Sequence, residues 1–312
     1  MTNHFQSYST MCGHATIAIA KLVVDSLQSG FLDKFLDRSR LHYDLDKKEL
    51  RIPIHVPCGL VHATVPCSRR GEGLESLTID HSRPISYLSV PSYAYALNVQ
   101  IPIPLDLRWP ELGQRDHVTA DIAYGGAFYI VCAASELGFS SSLANPDLEG
   151  LTRASRRIKT AFNTSDDLRS RRLYHPEHDE LQFLYGTIVT DPDLGVKNDA
   201  SIGAETSICF FSNAQIDRSP TGSGVQARVA LAHARDEHKL GEERTYHSPV
   251  SNAFGEGGFV GSAVEEVEFG GMKAVVVRVS GYAKYTGAAT YVVEDGDRIG
   301  EGFWFDELYA KQ

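Results

Sequence analysis

Positive charge is scarce in this chain. Its 30 lysines and arginines face 40 aspartates and glutamates, a net charge of −10, which excludes the basic surface that nucleic acids and anionic membranes require of a partner. Cysteine is scarcer still. Cys12, Cys58, Cys67, Cys132 and Cys209 are odd in number and widely spaced, with no Cys-x-x-Cys pair, so neither a disulfide framework nor a zinc knuckle is expected. Cys132 and Cys209 sit in apolar runs and read as core. His175 and His178 lie three apart across Pro176 with no third ligand nearby, which reads as a surface loop and not a metal site. Long apolar stretches are also missing. None reaches the roughly 18 residues of a membrane span, and Met1 to Thr10 is polar, without a secretory core. A soluble, cytoplasmic protein in a reducing compartment is expected.

With 312 residues and 42% apolar content, the chain is long enough for two domains with separate cores. Strand-like patterning recurs at residues 50–56, 60–65, 76–80, 94–101, 117–123, 183–189, 205–211, 258–267, 274–279 and 290–294. Helical patterning covers 17–24, 145–164 and 225–234. The basic run Arg153, Arg156, Arg157 and Lys159, continued by Arg169, Arg171 and Arg172, reads as a solvated helix face and its loop. Many strands, few helices and no strict alternation predict an α+β fold. The expected division is 1–116 and 117–312, with residues 105–116 as the hinge and the last residues returning to the first domain.

Two short stretches carry the functional information. Ser9-Thr10-Met11-Cys12-Gly13-His14 and Asp217-Arg218-Ser219-Pro220-Thr221-Gly222-Ser223-Gly224 each place a nucleophile-class side chain before glycine, and each runs into an Ala-rich apolar segment. That pattern predicts a helix beginning at the reactive residue. A helix start leaves about four N–H groups unpaired and carries roughly half a positive charge, so it holds anions and favours a thiolate. Cys12 therefore reads as a base. Thr221 does not, because a hydroxyl keeps its proton without an activating partner. If the two starts face each other across an interdomain cleft, they hold a carboxylate between them, and one substrate face alone meets a working base.

The chain resembles the proline racemase family. Besides the two motifs, the resemblance rests on Pro57-Cys58-Gly59-Leu60-Val61, Val90-Pro91-Ser92-Tyr93-Ala94-Tyr95-Ala96-Leu97, Asp121-Ile122-Ala123-Tyr124-Gly125-Gly126-Ala127-Phe128-Tyr129, Phe183 to Ile188 and Val279 to Ala283, in order along nearly the whole chain. It implies two similar domains of the diaminopimelate epimerase type, each wrapping strands around a central helix, and a homodimer. Racemases of the family use two facing cysteines. Thr221 in place of the second marks the dehydratase branch, which acts on trans-3-hydroxy-L-proline without cofactor or metal. The resemblance gives Cys12 as proton acceptor, the N–H groups of Gly13, His14, Gly222 and Ser223 as the carboxylate cradle, and Asp217 with the His14 side chain facing the ring nitrogen.

Two departures accompany these matches. Family members carry a long stretch ahead of the Met-Cys-Gly-His motif, so a truncated gene model is expected, and the loop 251–259 differs from the family's usual Gly-Ser-x-Phe. Three readings follow: a dehydratase, a proline racemase or 4-hydroxyproline 2-epimerase, which Thr221 disfavours, and an inactive remnant.

Overall fold

The computed structural model describes residues 9–165 and 173–297. Helix α1 (Gly13–Ser26) opens the described chain, followed by strands β1 (His42–Asp44), β2 (Glu49–Val56), β3 (Gly59–Arg69), β4 (Leu77–Ile79), β5 (Ile85–Leu88), β6 (Tyr93–Pro102), β7 (His117–Tyr124) and β8 (Phe128–Ala133). Helix α2 (Leu148–Thr164), β9 (Leu184–Asp191), β10 (Ala204–Phe211), β11 (Gln215–Ile216), α3 (Gly222–Ala234), β12 (Arg244–His247), α4 (Pro249–Phe254), β13 (Phe259–Phe269) and β14 (Met272–Gly281) complete it. The fold is α+β.

The strands run in the order β1-β2-β3-β5-β14-β13-β12-β10-β9-β8-β7-β6, with β4 on β3 and β11 on β10. Neighbours are antiparallel except β8 with β9 and β10 with β12. Helix α1 packs on β3, β4, β5 and β14, whereas α3 packs on β6, β7, β8, β13 and β14. Strand β14 thus touches both helices. Strand β6 precedes residue 117 but pairs with β7 and packs on α3.

Helix α1 buries one stripe, Thr16, Ile17, Ala20, Val23 and Val24, the 3.6-residue period of a helix with one covered face. Helix α3 differs: every residue from Gly222 to Leu231 is buried. Its small side chains let strands approach from all sides. The β2–β3 hairpin turns on Pro57-Cys58, where Gly59 adopts φ 130°, and brings the Cys58 N–H to the Thr10 carbonyl at 3.0 Å. This contact ties the chain before Cys12 to the sheet.

Four expectations need correction. Residues 290–294 form no strand; Tyr291 and Val292 lie exposed, with no strand partner among the described residues. His175 is buried, edge-on to Tyr124 and Phe269, and its Nδ1 accepts the N–H groups of Glu177 and His178 at 3.3 and 3.1 Å. Burial lowers its pKa, and the ring works as a turn-fastening core residue. The basic run on α2 is a solvated face only at Arg156: Arg153 pairs with Glu111 at 2.7 Å, Arg157 donates to the Arg108 carbonyl, and Lys159 donates to the Tyr185 and Ser212 carbonyls at 2.8 and 3.1 Å. Helix α2 begins at Leu148, not 145, because the Asp147 side chain caps it by accepting the Gly150 N–H at 2.9 Å. Arg169, Arg171, Arg172 and residues 298–312 lie outside the described residues. After β14, Tyr285 donates to Asp25 of α1 at 2.7 Å and its ring meets the Lys21 ammonium at 4.6 Å. In the segment 105–116, Trp109 is buried and donates from Nε1 to the Leu137 carbonyl at 2.7 Å.

Candidate active site

The two helix starts meet. A side chain added at Gly13 or at Gly222 would in each case lie 2.6 Å from the Cα of the other glycine. Only glycine permits that approach. Cys12 is the residue before α1 and Thr221 the residue before α3, and neither side chain caps its helix. The first helical bonds run from Thr16 N–H to the Cys12 carbonyl (2.9 Å) and from Val225 N–H to the Thr221 carbonyl (2.7 Å). The N–H groups of residues 13–15 and 222–224 therefore precede both ladders and converge on one space. The positive poles of both helices point into it.

On the α1 side, the Cys12 Sγ lies 3.5 Å from Nε2 and 3.8 Å from Nδ1 of His14. Burial pushes the Cys12 thiol up, but the His14 hydrogen bond, the His14 charge and the Ala15 N–H together outweigh it, so the thiol ends below its ordinary value. His14 moves the opposite way. Its hydrogen bond to Cys12 raises it against the effect of burial, and the Cys12 and Asp217 charges add to the rise. The geometry thus favours a thiolate–imidazolium pair. Cys58, Cys67, Cys132 and Cys209 contrast with this: all are buried, and burial pushes each thiol up to about 12.

On the α3 side, Thr221 is buried at φ 61°, a left-handed backbone that a β-branched residue adopts only under constraint. Its hydroxyl donates to Asp217 Oδ2 at 3.0 Å, while Asp217 Oδ1 accepts the Ser219 N–H at 2.8 Å. Motif spacing gave no sign of this carboxylate–hydroxyl contact, because Asp217 lies four residues upstream across Pro220. A carboxylate orients the hydroxyl but is far too weak a base to ionise it. Ser223 turns its hydroxyl away from the cleft, to Tyr129 at 2.7 Å. What it offers the cleft is backbone.

Three residues that sequence reasoning missed hold the halves together. The Ser219 Oγ accepts the Thr221 N–H at 3.1 Å and lies 3.1 Å from His14 Nδ1, bridging the two motifs. Beneath the glycines, the buried Tyr87 phenol accepts from Gln226 Nε2 at 3.0 Å, placing an oxygen where two positive helix poles converge. Neither Tyr87 nor Gln226 belongs to a chemistry-bearing motif. Gly125 marks the floor: a side chain there would meet the backbone of α3 at Ser223 and Ala227. Thus Cys12, Gly13, His14, Asp217, Thr221 and Gly222 come together in one cleft, with His14 placed against Cys12 and Ser219. Among the described residues no cluster of ligating side chains could hold a metal ion, and no helix is long and apolar enough to cross a membrane.

Comparison with known proteins identifies the family. The bovine trans-L-3-hydroxyproline dehydratase is 36% identical over 96% of this chain and 72% of its own length. A Burkholderia multivorans 3-hydroxyproline 2-epimerase is 29% identical over 96% of this chain and 75% of its own. The crystal structure of a probable proline racemase from Agrobacterium radiobacter with bound carbonate superposes with a TM-score of 0.66 at 21% identity, covering 96% of this chain and 73% of that one; at that identity the likeness is one of fold. The family model described as proline racemase matches residues 3–304, and this chain belongs to the proline racemase family.

Proposed function

We propose that this protein is a hydro-lyase that removes water from trans-3-hydroxy-L-proline with Cys12 as its one base. The observation that carries the reading is the asymmetry of the paired helix starts: one presents a thiol lowered by His14, the other a hydroxyl held by Asp217. The relatives named as dehydratases support the substrate class.

The substrate carboxylate would sit between the helix starts, accepting from the N–H groups of residues 13–14 and 222–223. The two Asp217 oxygens keep free lone pairs beside Ser219 and Thr221, enough to accept from the ring ammonium in a charge-assisted bond. In the trans-3-hydroxy ring, the α-hydrogen and the hydroxyl both lie opposite the carboxylate and so share one face. The Cys12 thiolate takes the C2 proton while the helix poles stabilise the charge spreading into the carboxylate. The same proton then passes from sulfur to the 3-hydroxyl, the C3–O bond breaks, and water leaves. The C2–C3 enamine that remains tautomerises to pyrroline-2-carboxylate. His14 holds the thiolate between these transfers.

The test incubates the protein with trans-3-hydroxy-L-proline and follows pyrroline-2-carboxylate, with L-proline racemisation measured in parallel. Product from the hydroxylated substrate and none from proline is expected. Racemisation of proline would refute the one-base reading, and silence in both assays would refute the activity.

A further inference from the structure

Away from the cleft, the outer side of α2 and the turn between β10 and β11 flank a half-open cavity of about 360 Å³. Its walls include Ser155, Arg156, Lys159, Thr160 and Asn163 from the helix and residues 212–214 from the turn. In a chain of net charge −10, this cavity has two cations and, among the described residues, no acidic one in its lining. On the same helix, Arg153 has the Glu111 carboxylate at 2.7 Å. Lys159 instead donates to the Tyr185 and Ser212 carbonyls, and Arg156 to the Asn213 carbonyl at 3.2 Å. Neutral oxygens orient these groups without cancelling their charge.

A half-buried ammonium without a counter-charge is unfavourable, and burial accordingly lowers the Lys159 pKa. Among the described residues nothing in the lining compensates these two cations, so the pocket lacks an acceptor of negative charge.

We propose that this cavity is a binding site for a small oxyanion, the carboxylate or phosphate group of a metabolite, held by Arg156 and Lys159 with Thr160 and Asn163 at its rim. The third Lys159 N–H and the free edge of the Arg156 guanidinium supply the charge-assisted bonds. The volume leaves room for an organic body beyond the anionic group. Ser212 and Ala214 both take left-handed backbone conformations, φ 51° and 56°, and the turn they form continues through β11 to Asp217. An anion bound there would brace the turn that leads into the α3 half of the cleft.

Titration of the intact protein with inorganic phosphate, followed by calorimetry at low and at moderate salt, tests the site. Saturable binding that weakens with salt is expected, with Arg156→Gln reducing affinity about tenfold, the worth of one charge-assisted bond. Arg156 is exposed, so this variant should keep the wild-type melting temperature; Lys159→Met, which also removes two struts, is the second probe. Acetate displacing the phosphate would assign a carboxylate ligand, and failure to displace it a phosphate one. The proposal falls if phosphate does not bind, or if it binds equally well to Arg156→Gln, which would place the anion at the helix starts instead.

Discussion

The two halves of the cleft are built on opposite plans. Helix α3 is enclosed from its first turn to its third, and the residue that leads into it, Thr221, is held in a strained conformation by the walls around it. Helix α1 is covered on one side only: Ile19 and Leu22 are 46% and 37% exposed, and Phe31 and Phe35 beyond it are 73% and 87% exposed. The titrating pair, Cys12 and His14, belongs to the open half. The closed half supplies fixed dipoles, a carboxylate and a backbone that cannot relax. The base has to take a proton from one substrate atom and hand it to another, whereas a carboxylate cradle gains from rigidity, so the division matches what each half has to do.

Breaking the open half should have the largest effect. Cys12→Ser is expected to lower dehydration at least 1,000-fold, since a serine hydroxyl at that helix start stays protonated where the thiol ionises. Pyrroline-2-carboxylate formation measures it, and near-normal turnover would remove Cys12 from the base role. Next comes the junction between the halves. Gly222→Ala places a methyl against the Gly13 backbone and the Tyr87 phenol, which overpacks the closest approach in the site and should cost about 1–3 kcal/mol in unfolding free energy, together with most substrate affinity. An unchanged denaturant midpoint would mean that the helix starts can move apart freely.

Thr221→Cys sharpens the comparison by giving the closed half a thiol. Measurable interconversion of L- and D-proline is expected where the wild type shows none, at a rate below that of a natural two-cysteine enzyme because Asp217 lies beside the new sulfur. Polarimetry decides, and persistent silence in a variant that still dehydrates hydroxyproline would show that the second face is closed to substrate.

Ser219→Ala tests the bridge. The substitution removes the partner of both the Thr221 N–H and His14 Nδ1, each contact worth about 1 kcal/mol or roughly fivefold in rate. The sign on pH follows from the pair. The Cys12 thiol is lowered and the His14 imidazole raised, so thiolate is lost as pH falls through the lowered Cys12 value, and alkylation by iodoacetamide slows on the acid side. Without Ser219 as an acceptor for His14 Nδ1, the imidazolium is less favoured, and the alkylation midpoint moves to higher pH. A midpoint that stays put would reduce Ser219 to a spacer. In the wild type, mass spectrometry should find Cys12 modified well before the four buried cysteines. The smallest effect belongs to the open face of α1, where Leu22→Gln should change stability by about 0.5 kcal/mol or less; a multi-kcal loss would show that this face is covered in solution.

Much of this was legible in the residues. Both helix starts could be read because a reactive side chain before glycine and an apolar run is a local pattern with local causes, and β2, β7, β9 and β10 could be read because their apolar residues follow strand periods. Strand β8, the run Phe128–Ala133, is buried on both faces, so its continuous apolar pattern has no alternation to betray it. The short strands β1, β5 and β12 were missed because three or four residues are too few to show a period. The residues 290–294 erred the other way, since alternation marks a strand only when a partner edge is available.

The amino-acid sequence by itself determined the family, the α+β class and the two nucleophile-glycine motifs, because chain chemistry at adjacent positions encodes each of them. Only the tertiary structure decided that Gly13 and Gly222 touch, that His14 lies against Cys12 while Ser219 reaches it from the far end of the chain, and that Asp217 holds Thr221. It also decided that the arginines and lysine of α2 hold carbonyls and one carboxylate. Charge, hydrogen bonding and burial act through space, and the distances that set a thiol's ionisation exist only once both helices have been folded onto β14.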